Sequence, residues 1–196
     1  HHFQLPEMLA YVGEVLKSGR IGEVSFRRDD GRHFLMRLTP YVDNSRKGVS
    51  GVVMTILDIT DKVETEEKLR LSASVFEHAS EATVITDANN RIISINPAFT
   101  EITGYSADEV IGQTPHMLSS GKHPKEFYKY MWETLMSTGS WQGEIQNRRK
   151  NGDIYTEWLS INILKDENDE ITRHIAVFSD ITDAKKAQET IERQAT

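Results

Sequence analysis

A long segment of this chain occurs twice, and this repeat restricts the possible folds more than any other feature. The first matched pair of segments is Arg27–Gly31 and Arg148–Gly152, which are 121 positions apart. The second pair is Asp58–Asp61 and Asp180–Asp183, which are 122 positions apart and follow in the same order. Two copies of one long unit predict tandem domains, because a solenoid needs three or more short repeats.

The second copy closes with three strand-like runs, which read WQGEIQNRRK, DIYTEWLSINIL and ITRHIAVFSDIT. Asn151-Gly152 separates the first two runs and is a strong hairpin signal. The acidic loop from Asp166 to Glu170 separates the last two and has an ordinary hairpin length. This pattern predicts an antiparallel meander that continues into a polar exit helix.

Upstream of the meander, the second copy predicts two strands, two short helices and one long helix. The strands span 82–87 and 91–96, and the long helix spans 124–137. The first copy matches only the rear of this unit, with a helix over 4–18 and strands near 21–28, 32–42 and 49–59. We therefore expect a partial unit followed by a complete one.

Between the copies, residues 61–79 predict a charged connector helix with one narrow apolar stripe. The stripe contains Leu69, Ala73 and Phe76, with Val75 beside it. Such a stripe suits a seam between two helices. A solvated linker helix that packs on its own domain is the alternative.

The sequence resembles the PAS sensory domains. The residues that carry the resemblance are VITDANNRIISINPAFTEITGYSADEVIG, FYKYMWETLMSTGSWQGEIQNRRKNGDIYTEW and the closing DIT. The resemblance implies an α+β fold, in which helices cover one face of a five-stranded antiparallel sheet. It divides the chain into a partial PAS domain over 1–60, a connector helix over 61–80, a complete PAS domain over 81–183 and an exit helix over 184–196.

The resemblance also bears on the ligand. The light-sensing LOV branch needs a cysteine, and this chain has none. The haem branch carries a histidine on the long helix, which here has none, although His116 and His123 just before it stay open as ligands. The pattern further resembles the FAD-binding PAS domains of nitrogen-fixation and methane-oxidation redox sensors. The positions that match their pocket are Tyr128, Trp132, Trp141, Gly143, Asn147, Arg148 and Arg149.

Strand alternation supports a role for Asn147. Trp141, Ile145 and Asn147 share one strand face, so an inward face would place the Asn147 amide beside an apolar core, where it needs a partner. We expect any ligand to lie between the 124–138 helix and the strands that carry Asn147 and Trp158. The candidate site residues are Tyr128, Trp132, Trp141, Asn147 and Trp158. FAD, another small ligand and no ligand all remain open.

The predicted function is the sensory input module of a bacterial-type signalling protein. The ligand-free alternative is a PAS module for dimerisation and signal transmission. A net charge of −7 argues against a nucleic-acid partner. No run is long enough to span a membrane, and we identify no catalytic or metal-binding motif, so we expect no enzyme and no metal. We expect a cytoplasmic homodimer joined to an output domain such as a diguanylate cyclase, kinase or chemoreceptor module.

Overall fold

The computed structural model describes residues 5–42 and 48–194. The chain forms two compact units, which comprise residues 1–72 and 73–196. Gln4, where the first predicted helix begins, lies outside the described residues, as do Ala195 and Thr196 at the end of the predicted exit helix. Within the described ranges, no helix combines the length and the apolar character that crossing a lipid bilayer requires.

The first unit is a three-stranded antiparallel sheet with one helix packed on it. Its elements are α1 (Leu5–Ser18), β1 (Gly22–Arg27), β2 (His33–Val42) and β3 (Val49–Asp58), and the sheet order is β1-β2-β3. Val15 of α1 packs with Met36 and Leu38 of β2 in a small buried cluster. Helix α2 (Thr60–His78) follows and has no buried residue. The helix and three strands predicted for this copy are therefore confirmed.

The second unit contains the end of α2 and all the remaining elements. In chain order they are β4 (Ala82–Asp87), β5 (Ile92–Ile95), α3 (Pro97–Thr103), α4 (Ala107–Val110), a 3₁₀ helix (Pro115–Leu118), α5 (Lys125–Thr138), β6 (Ser140–Arg148), β7 (Ile154–Lys165), β8 (Ile171–Asp180) and α6 (Thr182–Gln194). All strand pairs are antiparallel and the sheet order is β5-β4-β8-β7-β6. The expected α+β fold with a five-stranded antiparallel sheet is confirmed.

Local sequence signals explain the two hairpins of the meander. At the first, Gly152 takes φ 95° and its N–H donates to the Arg149 carbonyl at 2.9 Å. At the second, the Asp166 carboxylate accepts hydrogen bonds from the backbone N–H groups of Asn168 and Glu170. The acidic loop thus closes on its own backbone and forms an ordinary turn.

Helix starts in the second unit also follow from the sequence. The buried Asn96 side chain caps α3 by accepting from the Phe99 N–H, and it also accepts from the Thr83 N–H of β4. Ser106 and Glu109 form the capping box predicted before α4. The 3₁₀ helix was not predicted. It follows Thr114 and carries Pro115 in its first turn.

The end of each sheet repeats one hydrogen-bonded arrangement. In the first unit, Asp58 Oδ1 accepts from the Thr60 N–H at 3.0 Å, and Thr60 Oγ1 accepts from the His33 N–H at 2.9 Å. In the second unit, Asp180 Oδ1 accepts from the Thr182 N–H at 2.9 Å, and Thr182 Oγ1 accepts from the Thr156 N–H at 2.9 Å. The repeated Asp-Ile-Thr therefore joins the last strand of each copy to the helix that follows it.

Candidate functional site

The second unit encloses a cavity of about 140 Å³ between α5 and the sheet. Its floor comes from β4, β6, β7 and β8, and its walls come from α5 and the 3₁₀ helix. Most of the lining is apolar because these strands alternate and turn their hydrophobic side chains inward. The apolar lining residues include Leu118, Met131, Ile145, Leu159, Ile161 and Phe178.

An amide and a carboxyl group lie side by side on the cavity floor. Asn147 of β6 donates from Nδ2 to Oε1 of Glu157 on β7 at 3.0 Å. Both residues line the cavity. The β6–β7 register pairs Asn147 with Tyr155 and Ile145 with Glu157, so Asn147 and Glu157 are diagonal neighbours on the inner face. The inward position that strand alternation predicted for Asn147 is what the structure has.

Glu157 is a buried acid with unused hydrogen-bonding capacity. Its exposed fraction is 2%, and Oε2 has no hydrogen-bond partner among the described residues. Burial raises the pKa of Glu157 to about 7, and the nearby Asp180 carboxylate acts in the same direction. The Asn147 amide and the nearby Tyr155 hydroxyl oppose this shift in pKa. The Tyr155 hydroxyl is also buried without a partner at hydrogen-bonding geometry in the described part of the chain, so it is the neighbour closest to satisfying Oε2. The cavity therefore contains a carboxyl group that can be neutral at physiological pH.

A second polar group lies on the same floor, on β8. His174 Nδ1 is 3.1 Å from the Asp87 carbonyl oxygen and 3.1 Å from Thr86 Oγ1. A carbonyl oxygen only accepts, so in a neutral imidazole these contacts place the proton on Nδ1. Nε2 is then an acceptor, and it is buried with no partner in the described part of the chain. The Trp132 ring meets the His174 ring edge to face, with centroids 5.7 Å apart.

Arg149, which the sequence matched to the pocket, does not line the cavity and lies instead at the end of the sheet. Its guanidinium group lies 4.5 Å from the centre of the Tyr155 ring, and it donates to the Ile102 carbonyl and to Asp180. Although burial acts to raise the pKa of Asp180, hydrogen bonds from Thr182 and Arg149 hold it below its usual range. Asp180 is therefore an ionised partner for Arg149 and for the start of α6.

The structure brings three of the five candidate residues together. Tyr128, Trp132 and Asn147 line the cavity. Trp141 does not line it, and instead packs in the core against Phe127. A Cβ atom at Gly143 would lie 2.8 Å from the Trp141 ring, so this ring explains the glycine two positions later.

Placing Trp158 at the site was wrong. Tyr155, Glu157 and Leu159 of β7 are buried, whereas Trp158 is 45% exposed and does not line the cavity. Successive side chains of a strand point to opposite faces, so the tryptophan belongs to the outer face of the sheet. Glu157, which the sequence analysis did not select, occupies the inner position one residue earlier.

The two histidines left open as haem ligands, His116 and His123, lie in different surroundings. His123 Nε2 accepts from the Gln146 N–H at 2.8 Å, and its ring stacks on Phe127 at 4.3 Å between centroids. His116 lines the cavity. Among the described residues, no group of three or more His, Cys, Asp or Glu side chains is arranged to hold a metal ion.

The residues present fit part of a flavin. The Asn147–Glu157 pair and the unpartnered Oε2 atom match the polar edge of a planar heterocycle, and Trp132 supplies an aromatic wall. The volume corresponds to about one aromatic ring, since an apolar cavity of about 150 Å³ holds benzene. A three-ring flavin would therefore have to displace part of the cavity wall. The Pro115–Leu118 helix is the part of the wall that belongs neither to the sheet nor to α5.

Comparisons with known proteins agree with this architecture. A family model described as "PAS domain" matches residues 4–61 and 80–183. The nitrogen fixation regulatory protein of Klebsiella oxytoca is 35% identical over 118 residues, which are 60% of this chain and 24% of that protein. The aerotaxis receptor of Escherichia coli is 38% identical over 77 residues, which are 39% of this chain and 15% of the receptor. The chain thus spans about a quarter or less of these relatives.

A solved structure supports the same match. The crystal structure of the PAS domain of a protein from Colwellia psychrerythraea aligns with a TM-score of 0.56 and 27% sequence identity. The alignment covers 59% of this chain and 98% of that domain.

Proposed function

The chain belongs to the PAS domain family, and from this premise we propose that it is the sensory input module of a signalling protein. The ligand is a small planar heterocycle bound in the cavity of the second unit. The observation that carries the proposal is the hydrogen-bonded pair of the half-buried Asn147 and the buried Glu157 in a mostly apolar cavity. A buried polar atom without a partner costs roughly 1–3 kcal/mol, and a ligand that pairs with Glu157 Oε2 would remove this cost.

FAD is the first candidate ligand. It is supported by the resemblance to FAD-binding PAS domains of nitrogen-fixation sensors and by the 35% identity to a nitrogen fixation regulatory protein. The residues proposed to hold the flavin ring are Tyr128, Trp132 and Asn147, to which we add Glu157. A bound flavin would supply redox chemistry, whereas the side chains named here bind and orient it.

The remaining parts of the function are also proposals. The relatives are regulators and receptors more than twice as long as this chain. We propose that α6 leads to an output domain, such as a kinase, a diguanylate cyclase or a chemoreceptor module, and that the protein is a homodimer. A cytoplasmic location and the absence of enzymatic activity in this chain stay predictions.

A ligand-free role in dimerisation and transmission is the second candidate. The observation that favours it is the volume of about 140 Å³, which is below the roughly 300–1,000 Å³ of usual ligand sites. In that case the cavity would remain empty and the exposed helix α2 would set the geometry of a dimer.

An absorption spectrum of the purified protein separates the two candidates. The sensor proposal expects a flavin spectrum, or binding of added FAD to the purified protein. The variant Asn147→Ala should weaken FAD binding by roughly 10-fold or more, since it removes a hydrogen bond in a buried site. Asn162→Ala is the matched control, because Asn162 is an exposed asparagine of β7. A colourless protein that binds no added FAD would exclude FAD as the ligand.

A further inference from the structure

We infer that residues 114–120 form a gate over the cavity and that this gate selects the ligand by its size. In the closed position, the gate leaves a cavity of about 140 Å³, which holds about one aromatic ring. Lifting the gate between two hinges, Gly112 and Gly121, admits a ligand of several rings. This inference rests on the proposed function and adds to it the part of the cavity wall that decides which ring systems can bind.

The gate is the part of the cavity wall that costs least to move. The gate residues that line the cavity are Pro115, His116, Leu118 and Ser119. The sheet and α5 are held by the regular hydrogen bonds of strands and of an α-helix, whereas the gate contains a short 3₁₀ helix, whose hydrogen bonds have poorer geometry. In this helix the Met117 N–H donates to the Thr114 carbonyl at 3.1 Å. Such a bond closes within the gate, so the gate can lift without breaking it.

Two glycines with a left-handed backbone bound the gate. Gly112 has φ 82° and Gly121 has φ 74°, a region that residues with a side chain rarely adopt. A Cβ atom at either position would meet no heavy atom within 4 Å, so close packing does not explain either glycine. Both positions instead need the conformational freedom of glycine, which is also what a hinge requires.

Both hinges are anchored to the edge strands of the sheet, so that the segment between them is the part that moves. At the first hinge, the Gly112 N–H donates to the Ile92 carbonyl of β5 at 2.8 Å, and Arg91 Nη1 donates to the Gly112 carbonyl at 2.9 Å. Beyond the second hinge, His123 Nε2 accepts from the Gln146 N–H of β6 at 2.8 Å. The gate therefore crosses the cavity as a strap from one edge of the sheet to the other.

Two serines latch the closed gate. The Ser120 hydroxyl donates to the Gln146 carbonyl of β6, and the Ser119 hydroxyl lies 3.3 Å from the Tyr128 hydroxyl of α5. Leu118, which is 4% exposed, supplies the apolar contact with the core. Opening breaks these contacts and exposes one leucine side chain, but it leaves the ladders of the five-stranded sheet intact.

A disulfide across the latch tests the inference, because the chain has no cysteine of its own. The antiparallel bridge between Ser119 and Asn147 places Ser120 beside Gln146, within the reach of a disulfide, and neither Ser120 nor Gln146 lines the cavity. Riboflavin, which has three fused rings, is the probe, and its loss of fluorescence gives the association rate. Oxidised Ser120→Cys/Gln146→Cys should bind riboflavin at least about tenfold more slowly than the reduced form, because the open gate is no longer populated.

Gln142→Cys/Ser160→Cys is the matched control. Gln142 and Ser160 are opposite each other in the β6–β7 pair, and neither lines the cavity. Their disulfide joins two strands that are already paired and leaves the gate free. The oxidised and reduced forms of this control should therefore bind riboflavin at the same rate.

Thiol labelling measures the gate without any ligand. Leu118 of the gate and Leu135 of α5 are both buried in the same core cluster. A single cysteine at either position reacts with a thiol reagent when that position opens. Leu118→Cys should be labelled at least about tenfold faster than Leu135→Cys, because the gate opens locally whereas α5 opens with the whole unit.

The two measurements separate failure of the gate from failure of the proposed ligand. Equal association rates for the oxidised and reduced latch variant would overturn the gate and leave the sensor function standing, because riboflavin still binds. Equal labelling of Leu118→Cys and Leu135→Cys would overturn the gate whether or not riboflavin binds. Absence of riboflavin binding in every form, with fast labelling of Leu118→Cys, would overturn a flavin as the ligand and support the gate.

Discussion

The buried Glu157 side chain destabilises the folded protein when it is ionised, because burial disfavours the charged form. Burial raises its pKa from 4.5 to about 7 in the folded protein, which corresponds to about 3 kcal/mol. The folded state binds the proton more tightly than the unfolded state does. Stability therefore falls as the pH rises from the unfolded pKa to the folded one, and it stays lower by that amount above a pH of about 7.

This linkage predicts the behaviour of Glu157→Gln. The variant has no carboxyl group to ionise, so above a pH of about 7 it should be more stable than the wild-type protein by up to about 3 kcal/mol. The difference should shrink as the pH falls towards 4.5. Urea denaturation across this pH range measures it, with Glu144→Gln as the control. Parallel stability curves for wild type and Glu157→Gln would contradict the prediction.

The same residues show how far the sequence predicts the site. Alternation along β6 was sufficient to place Asn147 inward beside Ile145. Alternation along β7 also places Glu157 inward and Trp158 outward, so the predicted site residue on this strand is the neighbour on the wrong face. A one-residue error moves a side chain to the other sheet face. Alternation alone does not predict the hydrogen bonds of His174, because its partners Thr86 and Asp87 lie on β4, which is far from β8 in the sequence.

At the scale of elements, the turn and cap signals were sufficient for most of the fold. The Asn151-Gly152 hairpin and the capping box at Ser106 each act within a few residues, so the sequence predicts them directly. The sequence does not predict the Pro115–Leu118 helix, because contacts with elements far along the chain hold this segment in place. Ser119, which follows this helix, forms an isolated antiparallel β-bridge with Asn147 of β6. The Ser119 hydroxyl also hydrogen-bonds with the Tyr128 hydroxyl of α5.

The start of the exit helix is held by one threonine, which gives an element-scale prediction. Thr182→Val removes the Oγ1 acceptor of the Thr156 N–H, at a cost of about 1–2 kcal/mol. Hydrogen exchange should become faster at the Thr156 amide and in the first turn of α6. Thr60→Val is the matched control, because it removes the equivalent acceptor of the His33 N–H in the first unit. Unchanged protection of Thr156 in Thr182→Val would show that this bond does not hold the helix.

At the scale of the whole molecule, apolar side chains remain exposed in the first unit. Strand β3 lies at one edge of the three-stranded sheet, and its exposed apolar residues Val53, Met54, Ile56 and Leu57 lie on both faces. Helix α2 exposes Leu69 and Val75 as well. An edge strand with apolar side chains is a site where another chain can pair.

We therefore expect a homodimer in which the first units and the connector helices of two chains pack together. Light scattering should give twice the chain mass of 22.4 kDa at micromolar concentration. Leu57→Lys, which puts a charge on the exposed apolar strand, should shift the protein towards the monomer, because burying an unpaired charge is costly. Ser25→Lys adds the same charge at an exposed polar position of β1 and should leave the dimer intact. A wild-type protein that is monomeric at micromolar concentration would exclude this dimer.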